Sequence, residues 1–378
     1  MKAAGIVAFD TEFVSESYYR PRLCLLQFGF ADEIVGVDPF EVPDLSKWWE
    51  IMCDDTTTVI IHGGREEIRF CQFATNQKPR KLVDVQIAEG LRSRGFPMSH
   101  TNLVNRVLNR NVKHGKQTRT DWERRPLSEQ QIKYALEDVL HLIEIWETQK
   151  KSLKKMQRLD WAEAEFEKFI TDVFAEEDRD GWLRLSGFSR LNRRDMATAI
   201  ALHQWRDSVA AEKGKPPRRI LRDDLLIDVA KRQPKSIKEL NIVRDMNRRD
   251  YQQHADAILE VIGKAVAIPE EKLPQKTRGK NYPSQDEVLA RILGLVLANR
   301  CQELGISMPL VGTSADLKEL VRWHLFDEET GKTPKLCDGW RGEVCGNILT
   351  DVLDGKISLR VVDPHSENPL SFDDRNSR

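Results

Sequence analysis

The chain has 378 residues, 59 Lys and Arg against 60 Asp and Glu, with 40% hydrophobic and 31% charged residues. That length predicts two to three domains at ~150 residues each, and the composition is that of soluble globular proteins, which excludes a small stapled module and a disordered chain. The net charge of −1 argues neither for nor against a polyanionic partner, so local charge distribution must decide.

Residues 1–9 carry one lysine and a short apolar run leading straight into Asp10 and Glu12. They lack the length and cleavage site of a signal peptide, and no later stretch approaches the ~18 apolar residues of a membrane span, so a cytoplasmic protein without membrane contact is expected. Residues 5–9, 23–30 and 33–38 read as strands, and Val59, Ile60 and Ile61 make a compact β-branched strand before His62 and two glycines. Apolar residues then fall at helical spacing over 66–74, 82–94 and 99–108, and 127–158 reads as one long helical pattern opening at Leu127-Ser128-Glu129. Strands followed by helices predict an α/β domain over 1–150. Residues 151–187 read as a solvated helical connector, basic first and acidic after. Over 188–266 helical runs broken by Gly214-Lys215-Pro216-Pro217 predict a small all-helical domain. Proline at both ends of a charged stretch marks 267–283 as a linker, 284–360 as a second helical domain, and 361–378 as a polar tail expected to fray. The six cysteines form no CxxC pair, so buried reduced thiols are expected rather than a zinc site or a disulfide framework.

The strongest chemical signal is Asp10-Thr11-Glu12-Phe13 at the end of the first strand. Alternation along a strand puts Asp10 and Glu12 on one face, where both carboxylates can point at one spot. Two acids at a strand end also suit a solvated turn, so further acids must support the reading. Tyr134 and Asp138 lie at i and i+4 of a helix and share a face. Separated carboxylates with a tyrosine suit two hard divalent cations, which take oxygen ligands and clamp a phosphodiester ~3.5–4 Å apart during in-line displacement. A fourth acid is then expected, with Glu66 and Glu67 as candidates after His62-Gly63-Gly64. His62 reads as a turn residue rather than a base. Arg65 fits either a phosphate contact or an exposed arginine before a helix. The run 106–125, which includes Lys116 and Arg119, is strongly basic and favours a surface that tracks a nucleic-acid backbone. Trp205, Trp323 and Trp340 read as core residues.

Phe9-Asp10-Thr11-Glu12-Phe13, His62-Gly63-Gly64-Arg65-Glu66-Glu67-Ile68, and Thr120-Asp121-Trp122-Glu123-Arg124-Arg125-Pro126-Leu127 followed by Tyr134-Ala135-Leu136-Glu137-Asp138 resemble, in order and spacing, the three exonuclease motifs of ribonuclease D. That family belongs to the DEDD exonucleases with a tyrosine in the third motif. The resemblance implies an α/β ribonuclease H-like exonuclease domain followed by two small all-α, HRDC-like domains: 188–266 resembles an HRDC domain and 284–360 its second counterpart. It implies a 3′-5′ exoribonuclease acting on tRNA precursors and structured RNA 3′ ends with two divalent cations, Mg²⁺ or Mn²⁺, and indicates no protein partner. By the same resemblance Asp10 would bridge both cations, Glu12 and Asp138 would each hold one, Glu67 would complete the set directly or through water, and Tyr134 would orient the attacking water. HRDC domains are auxiliary nucleic-acid-binding modules, which brings in Arg218 and Arg219. The sequence departs from the family in carrying Glu67 where relatives have aspartate. It also begins almost at the first catalytic strand, so an edge element is expected to be missing or the start misassigned. A DNA-directed exonuclease, or an RNA-binding protein weakened in catalysis by Glu67, stays open at this point.

Overall fold

The computed structural model describes residues 2–31, 33–112, 120–177, 181–275, 285–325 and 333–374. The N-terminal region runs β1 (Ile6–Val14), β2 (Arg22–Phe30), β3 (Glu33–Val37), α1 (Ser46–Cys53), β4 (Thr58–Ile61), α2 (Arg65–Thr75), β5 (Leu82–Asp84), α3 (Val85–Arg92), α4 (His100–Leu108), α5 (Glu129–Leu140), α6 (Leu142–Lys155) and α7 (Leu159–Glu177). The strands form one mixed sheet in the order β3-β2-β1-β4-β5, with β1, β4 and β5 mutually parallel and β3 antiparallel to β2. Strand alternation sorts the two faces. Phe9 points to the face where its ring stacks on Phe28 at 5.3 Å and meets Trp48 of α1 at 4.7 Å. Ala8 points to the other, where α5 lies.

Two readings of the helical pattern need correction. The segment 82–94 is not one helix: Leu82–Asp84 pairs with β4, and Asp84 then caps α3 by accepting from the Gln86 amide at 2.8 Å. The apolar run crosses both elements, so periodicity hides the switch. The pattern over 127–158 is two helices, because His141 at φ −110°, ψ −4° interrupts it between α5 and α6. The helix α1 was not anticipated.

Beyond α7 come α8 (Arg193–Lys213), α9 (Pro217–Ile220), α10 (Asp223–Arg232), α11 (Ile237–Leu240), α12 (Arg249–Gln252) and α13 (Ala255–Val266), then α14 (Gln285–Leu304), α15 (Met308–Val311), α16 (Ser314–Leu325), α17 (Gly339–Arg341) and α18 (Asn347–Leu353), and finally the antiparallel hairpin of β6 (Ile357–Val361) and β7 (Leu370–Asp374). As far as Asp374, the last described residue, the hairpin corrects the frayed tail expected there. Leu359 and Phe372 face each other across it and pack against the core, a pairing hidden from sequence by the polar turn between them. Among the described residues no helix is long and apolar enough to cross a membrane.

The chain divides into two compact units, one of Met1–Thr11, Leu25–Phe174 and Asn281–Arg378, the other of Glu12–Cys24 and Ala175–Lys280. The division passes through the continuous strand β1. In the second unit, Leu202, Leu226, Val229, Met246 and Ile258 belong to one buried core. The Glu12–Cys24 segment is tied to α8 there, since the Tyr19 amide donates to Gly214 O at 3.1 Å and its hydroxyl to Asp207 Oδ2 at 2.8 Å. In the first unit the segment read as a second helical domain shares a core with the sheet's helices: Leu293, Leu297, Val311 and Leu320 join Leu91, Leu142 and Ile145. Arg158 bridges the same join by donating to Leu91 O at 2.8 Å and Leu304 O at 2.7 Å.

A buried ion pair of that join is formed by Glu165 on α7, which accepts from Arg341 Nη2 at 2.7 Å and from Trp340 Nε1 at 3.2 Å. Truncating one partner of a buried ion pair strands the other charge and costs roughly 3–5 kcal/mol, whereas replacing both by apolar groups costs far less. Urea unfolding followed by tryptophan fluorescence is therefore expected to show Glu165→Ala destabilised by about 3 kcal/mol, with part of the loss recovered in Glu165→Leu combined with Arg341→Met.

Candidate active site

The site is assembled by the end of β1 and one face of α5. Ser128 and Gln131 form a capping box at the start of α5: the Gln131 amide donates to Ser128 Oγ at 3.2 Å and the Ser128 amide to Gln131 Oε1 at 3.0 Å. Gln131 also reaches backwards, donating from Nε2 to Thr120 Oγ1 at 3.1 Å and Asp121 O at 3.2 Å, so one side chain fixes both the helix and the loop before it. Buried Trp122 of that loop stands 6.3 Å from the Tyr134 ring, centroid to centroid.

Helix α5 approaches the strands closely because two small residues lie under it. A Cβ added to Gly29 of β2 would stand 3.2 Å from Val139 O and 3.4 Å from the Ala8 Cβ. Ala8 shares its face of β1 with Asp10 and Glu12, so the close approach carries Asp138 to the two acids of β1. Asp10, Glu12 and Asp138 each offer a carboxylate oxygen, and these oxygens lie within 4.8 Å of one another. At that separation two carboxylates repel by about 3 kcal/mol at an effective dielectric of ~20. A hard cation removes that repulsion, and all-oxygen donors are what Mg²⁺, Mn²⁺ or Ca²⁺ takes. The residues present therefore fit a divalent metal.

Glu67 is placed elsewhere. It lies buried at the start of α2 and accepts from Thr11 Oγ1 at 2.5 Å, on the face of β1 opposite to Asp10 and Glu12. Burial pushes its carboxyl up to about 7, with the Thr11 hydrogen bond acting in the opposite sense. The preceding turn is shaped by Gly63 at φ +67°, whose amide donates to Asp84 Oδ1 at 3.1 Å. Glu66 is occupied by Arg69 at 2.5 Å. His62 is a turn residue as expected: its Nε2 is 2.9 Å from Met98 O and 3.4 Å from Gln86 Nε2.

One neighbour was missed from sequence. His100, the first residue of α4, brings Nδ1 to 3.6 Å from Asp138 Oδ1, with its ring set edge-on to His62 at 5.6 Å. No spacing rule links it to the motifs.

Within the basic run 106–125, three of the described arginines have acid partners. Arg106 faces Glu89 at 3.3 Å, Arg110 forms a fork with Glu144 at 2.7 and 2.6 Å, and Arg125 pairs with Asp38 at 2.5 and 2.9 Å while stacking over Phe40 at 4.3 Å. Those partners are distant in sequence, which is why the run reads as unopposed charge. The Arg125 hydrogen bond holds Asp38 below the usual carboxylate range, so the pair's stabilisation is present above the unfolded pKa and lost as pH falls through the folded one. Lys116 and Arg119 lie outside the described residues. Arg65 is exposed at the start of α2. In the second unit Arg218 pairs with Asp223 at 2.8 Å, whereas Arg219 lines a cleft.

Residues 1–154 match the family model of 3′-5′ exonuclease domains and residues 196–262 that of HRDC domains. A ribonuclease D of Gluconacetobacter diazotrophicus is 30% identical over 96% of this chain and 91% of its own. The chain belongs to the ribonuclease D family. Another ribonuclease D, from a Shewanella species, is 29% identical over 91% of this chain and 88% of its own. Among solved structures, Escherichia coli RNase D, described as an exoribonuclease involved in structured RNA processing, superposes with a TM-score of 0.82 at 26% identity, covering 94% of each chain.

The packing of α5 generates a test. A methyl group at Gly29 would stand 3.2 Å from the Val139 carbonyl, backbone that must give by a few tenths of an ångström, so Gly29→Ala shifts α5 slightly and moves Asp138 relative to Asp10 and Glu12. Calorimetric titration with Mn²⁺ is expected to show a lowered affinity, since catalytic centres are sensitive to small misplacements, with little change in the circular dichroism spectrum.

Proposed function

We propose that the protein is a 3′-5′ exoribonuclease that hydrolyses RNA from its 3′ end and releases nucleoside 5′-monophosphates, with tRNA precursors and other structured RNA 3′ ends as substrates. The observation that carries this is the convergence of Asp10, Glu12 and Asp138 within 4.8 Å in a chain of the ribonuclease D family. Bound divalent cations supply an activated water at neutral pH and offset the charge of the phosphodiester. Asp10, Glu12 and Asp138 would hold the cations, with Asp10 shared between them, and Glu67 would complete the set directly or through water. Tyr134, one helical turn before Asp138 and backed by Trp122, orients the water by hydrogen bond. A phenol with an ordinary pKa near ~10 is a poor base at neutral pH, so its part is positioning. Lys116, Arg119, Arg65, Arg218 and Arg219 are assigned to the RNA backbone.

The test is incubation of the purified chain with 5′-labelled RNA and DNA of one sequence. The expected result is a ladder of RNA shortened one nucleotide at a time, abolished by EDTA and by Asp138→Asn, and slowed about 10²-fold by Tyr134→Phe, the low end for a positioned catalytic group. Internal cuts, or degradation of DNA in preference to RNA, would refute the reading.

Glu67 has its own test. The Glu67 carboxylate is oriented by the Thr11 hydrogen bond to one of its oxygens, and Mg²⁺ tolerates imperfect ligand geometry poorly. Mn²⁺, which binds such sites generally more tightly, is expected to support higher activity than Mg²⁺. Calorimetry is expected to give two Mn²⁺ sites in the wild-type chain and one in Glu67→Gln. Two sites in that variant would leave Glu67 as the partner of Thr11 alone.

A further inference from the structure

Where α5 lies beside β3, two adjoining clefts of about 470 and 490 Å³ share Ile132 and Leu136 as a common wall. Each volume lies in the range of ligand clefts, ~300–1,000 Å³. The lining is apolar and open to solvent: Ile34, Ile132 and Leu140 are 37%, 42% and 48% exposed. Single exposed aliphatic residues are ordinary on a soluble protein, whereas neighbours gathered in one groove mark an interaction surface. Residues 132, 136 and 140 follow one another at successive turns of α5, ~6 Å apart along its axis. At ~100° per residue this stripe lies on the side of α5 opposite to Tyr134 and Asp138. The groove is therefore separate from the metal group.

The strand beside it is open. β3 stands at the end of the sheet and, among the described residues, pairs with β2 alone. Such an edge offers its backbone N–H and C=O groups to a further strand. Ile34 and Gly36 lie two apart and share one face of β3, and a Cβ at Gly36 would already stand 3.7 Å from Leu136, so the missing side chain keeps the groove clear. The rim is acidic. Arg125 is matched by Asp38 and Lys133 by Glu137, whereas Glu41 and Glu129 are exposed and, among the described residues, form no ion pair. A rim of that sign repels phosphates, repels a second copy of itself, and attracts lysine and arginine.

We propose that the groove between β3 and α5 binds an extended segment of a partner protein, with aliphatic residues at alternate positions and basic residues at its ends, added to β3 as a further strand. Main-chain hydrogen bonds to the open edge supply affinity, and alternate side chains entering the groove supply register. An extended segment presents a side chain to one face every ~6.8 Å, close to the turn spacing of the α5 stripe. Its terminal lysines or arginines answer Glu41 and Glu129. A partner held there covers the far side of the helix that presents Asp138 and leaves the metal group accessible, so it tethers the enzyme rather than blocking it.

The test is fluorescence anisotropy of a labelled peptide, Lys-Lys-Val-Thr-Val-Thr-Val-Lys-Lys, against the full chain, beside a copy with every lysine replaced by glutamate. The lysine peptide is expected to bind about tenfold more tightly than the glutamate peptide, because like charges then face each other at the rim. Ile132→Asp combined with Leu140→Asp is expected to weaken binding of the lysine peptide about tenfold, the effect of losing one buried aliphatic contact. Glu41→Lys combined with Glu129→Lys is expected to abolish the preference for lysine. Ile242→Asp, at an exposed aliphatic of the second unit, is expected to change nothing. Amide hydrogen exchange over 33–37 is expected to slow when the lysine peptide is bound, as an added strand requires.

Equal binding of the two peptides, or wild-type affinity in the Ile132→Asp, Leu140→Asp chain, would overturn the proposal. Unchanged exchange over 33–37 with peptide bound would overturn the added strand. Weaker RNA binding in the same double variant would instead place RNA in the groove, and a dimer in sedimentation equilibrium that the variant dissociates would place a second copy there. Peptide binding and RNA hydrolysis are read separately: failure of the groove leaves the wild-type RNA ladder intact, and failure of the exoribonuclease reading removes the ladder while peptide binding persists.

Discussion

The carbonyl of Val139 lies over Gly29 with no room for a side chain between them, and this contact of α5 with the strands sets the distance from Asp138 to the acids of β1. The residues that make the contact carry no chemistry. Ala8 and Gly29 are small, whereas a Cβ added at Gly36 of β3 would meet Leu136 only at an ordinary 3.7 Å, so the tight approach is confined to Gly29. A helix normally packs on a sheet with side chains interleaved between them, about 10 Å apart. Removing those side chains lets short acids on both elements share one space. The capping box of Ser128 and Gln131 fixes where α5 begins, and therefore which turn of it faces β1.

The pleat of β1 then divides the labour of its residues. Asp10 and Glu12 face α5 and take the metal side, while Thr11 between them faces α2 and holds Glu67. Ionised carboxylates within 4.8 Å of one another repel, and a bound cation would relieve that repulsion. Such a concentration of like charge at a functional site is offset by packing elsewhere, here by Phe9, Phe28 and Trp48 on the opposite face of the same strands.

What sequence made legible follows the range of the physics. Strand alternation at Asp10 and Glu12 and helical spacing at Tyr134 and Asp138 are local regularities, and both are found in the fold as read. The short β5 was hidden because two apolar residues and Asp84 before an apolar helix are too few to show a change of period. The break at His141 is a matter of two dihedral angles with no glycine or proline to announce it. Long-range pairings were the least legible. Arg125 reads as a free cation until Asp38, 87 residues away, is seen to accept its hydrogen bonds, and the hydrogen bond from Thr11 to Glu67 joins residues that no spacing rule pairs. His100 lies outside every motif and is found only by position.

Linker composition also proved a weaker guide to packing than apolar surface. Proline and charge around 267–283 mark a crossing between helical segments, yet the helices beyond it close the same core as α3 and α6. Ser307 shows why the join is specific: its amide donates to Gly90 O at 2.8 Å and its hydroxyl to Phe96 O at 3.0 Å, satisfying carbonyls at the end of α3 and in the loop after it. Behind α3 stands α6, whose Gln149 donates to Val85 O at 2.9 Å, and α6 follows α5 directly after His141. The C-terminal helices thus brace α3 and α6, and through them the far end of the helix that presents Asp138. A segment with no residue in the metal group still constrains it, because a carboxylate can be held to the tolerance a metal demands only if the helix beneath it cannot slide.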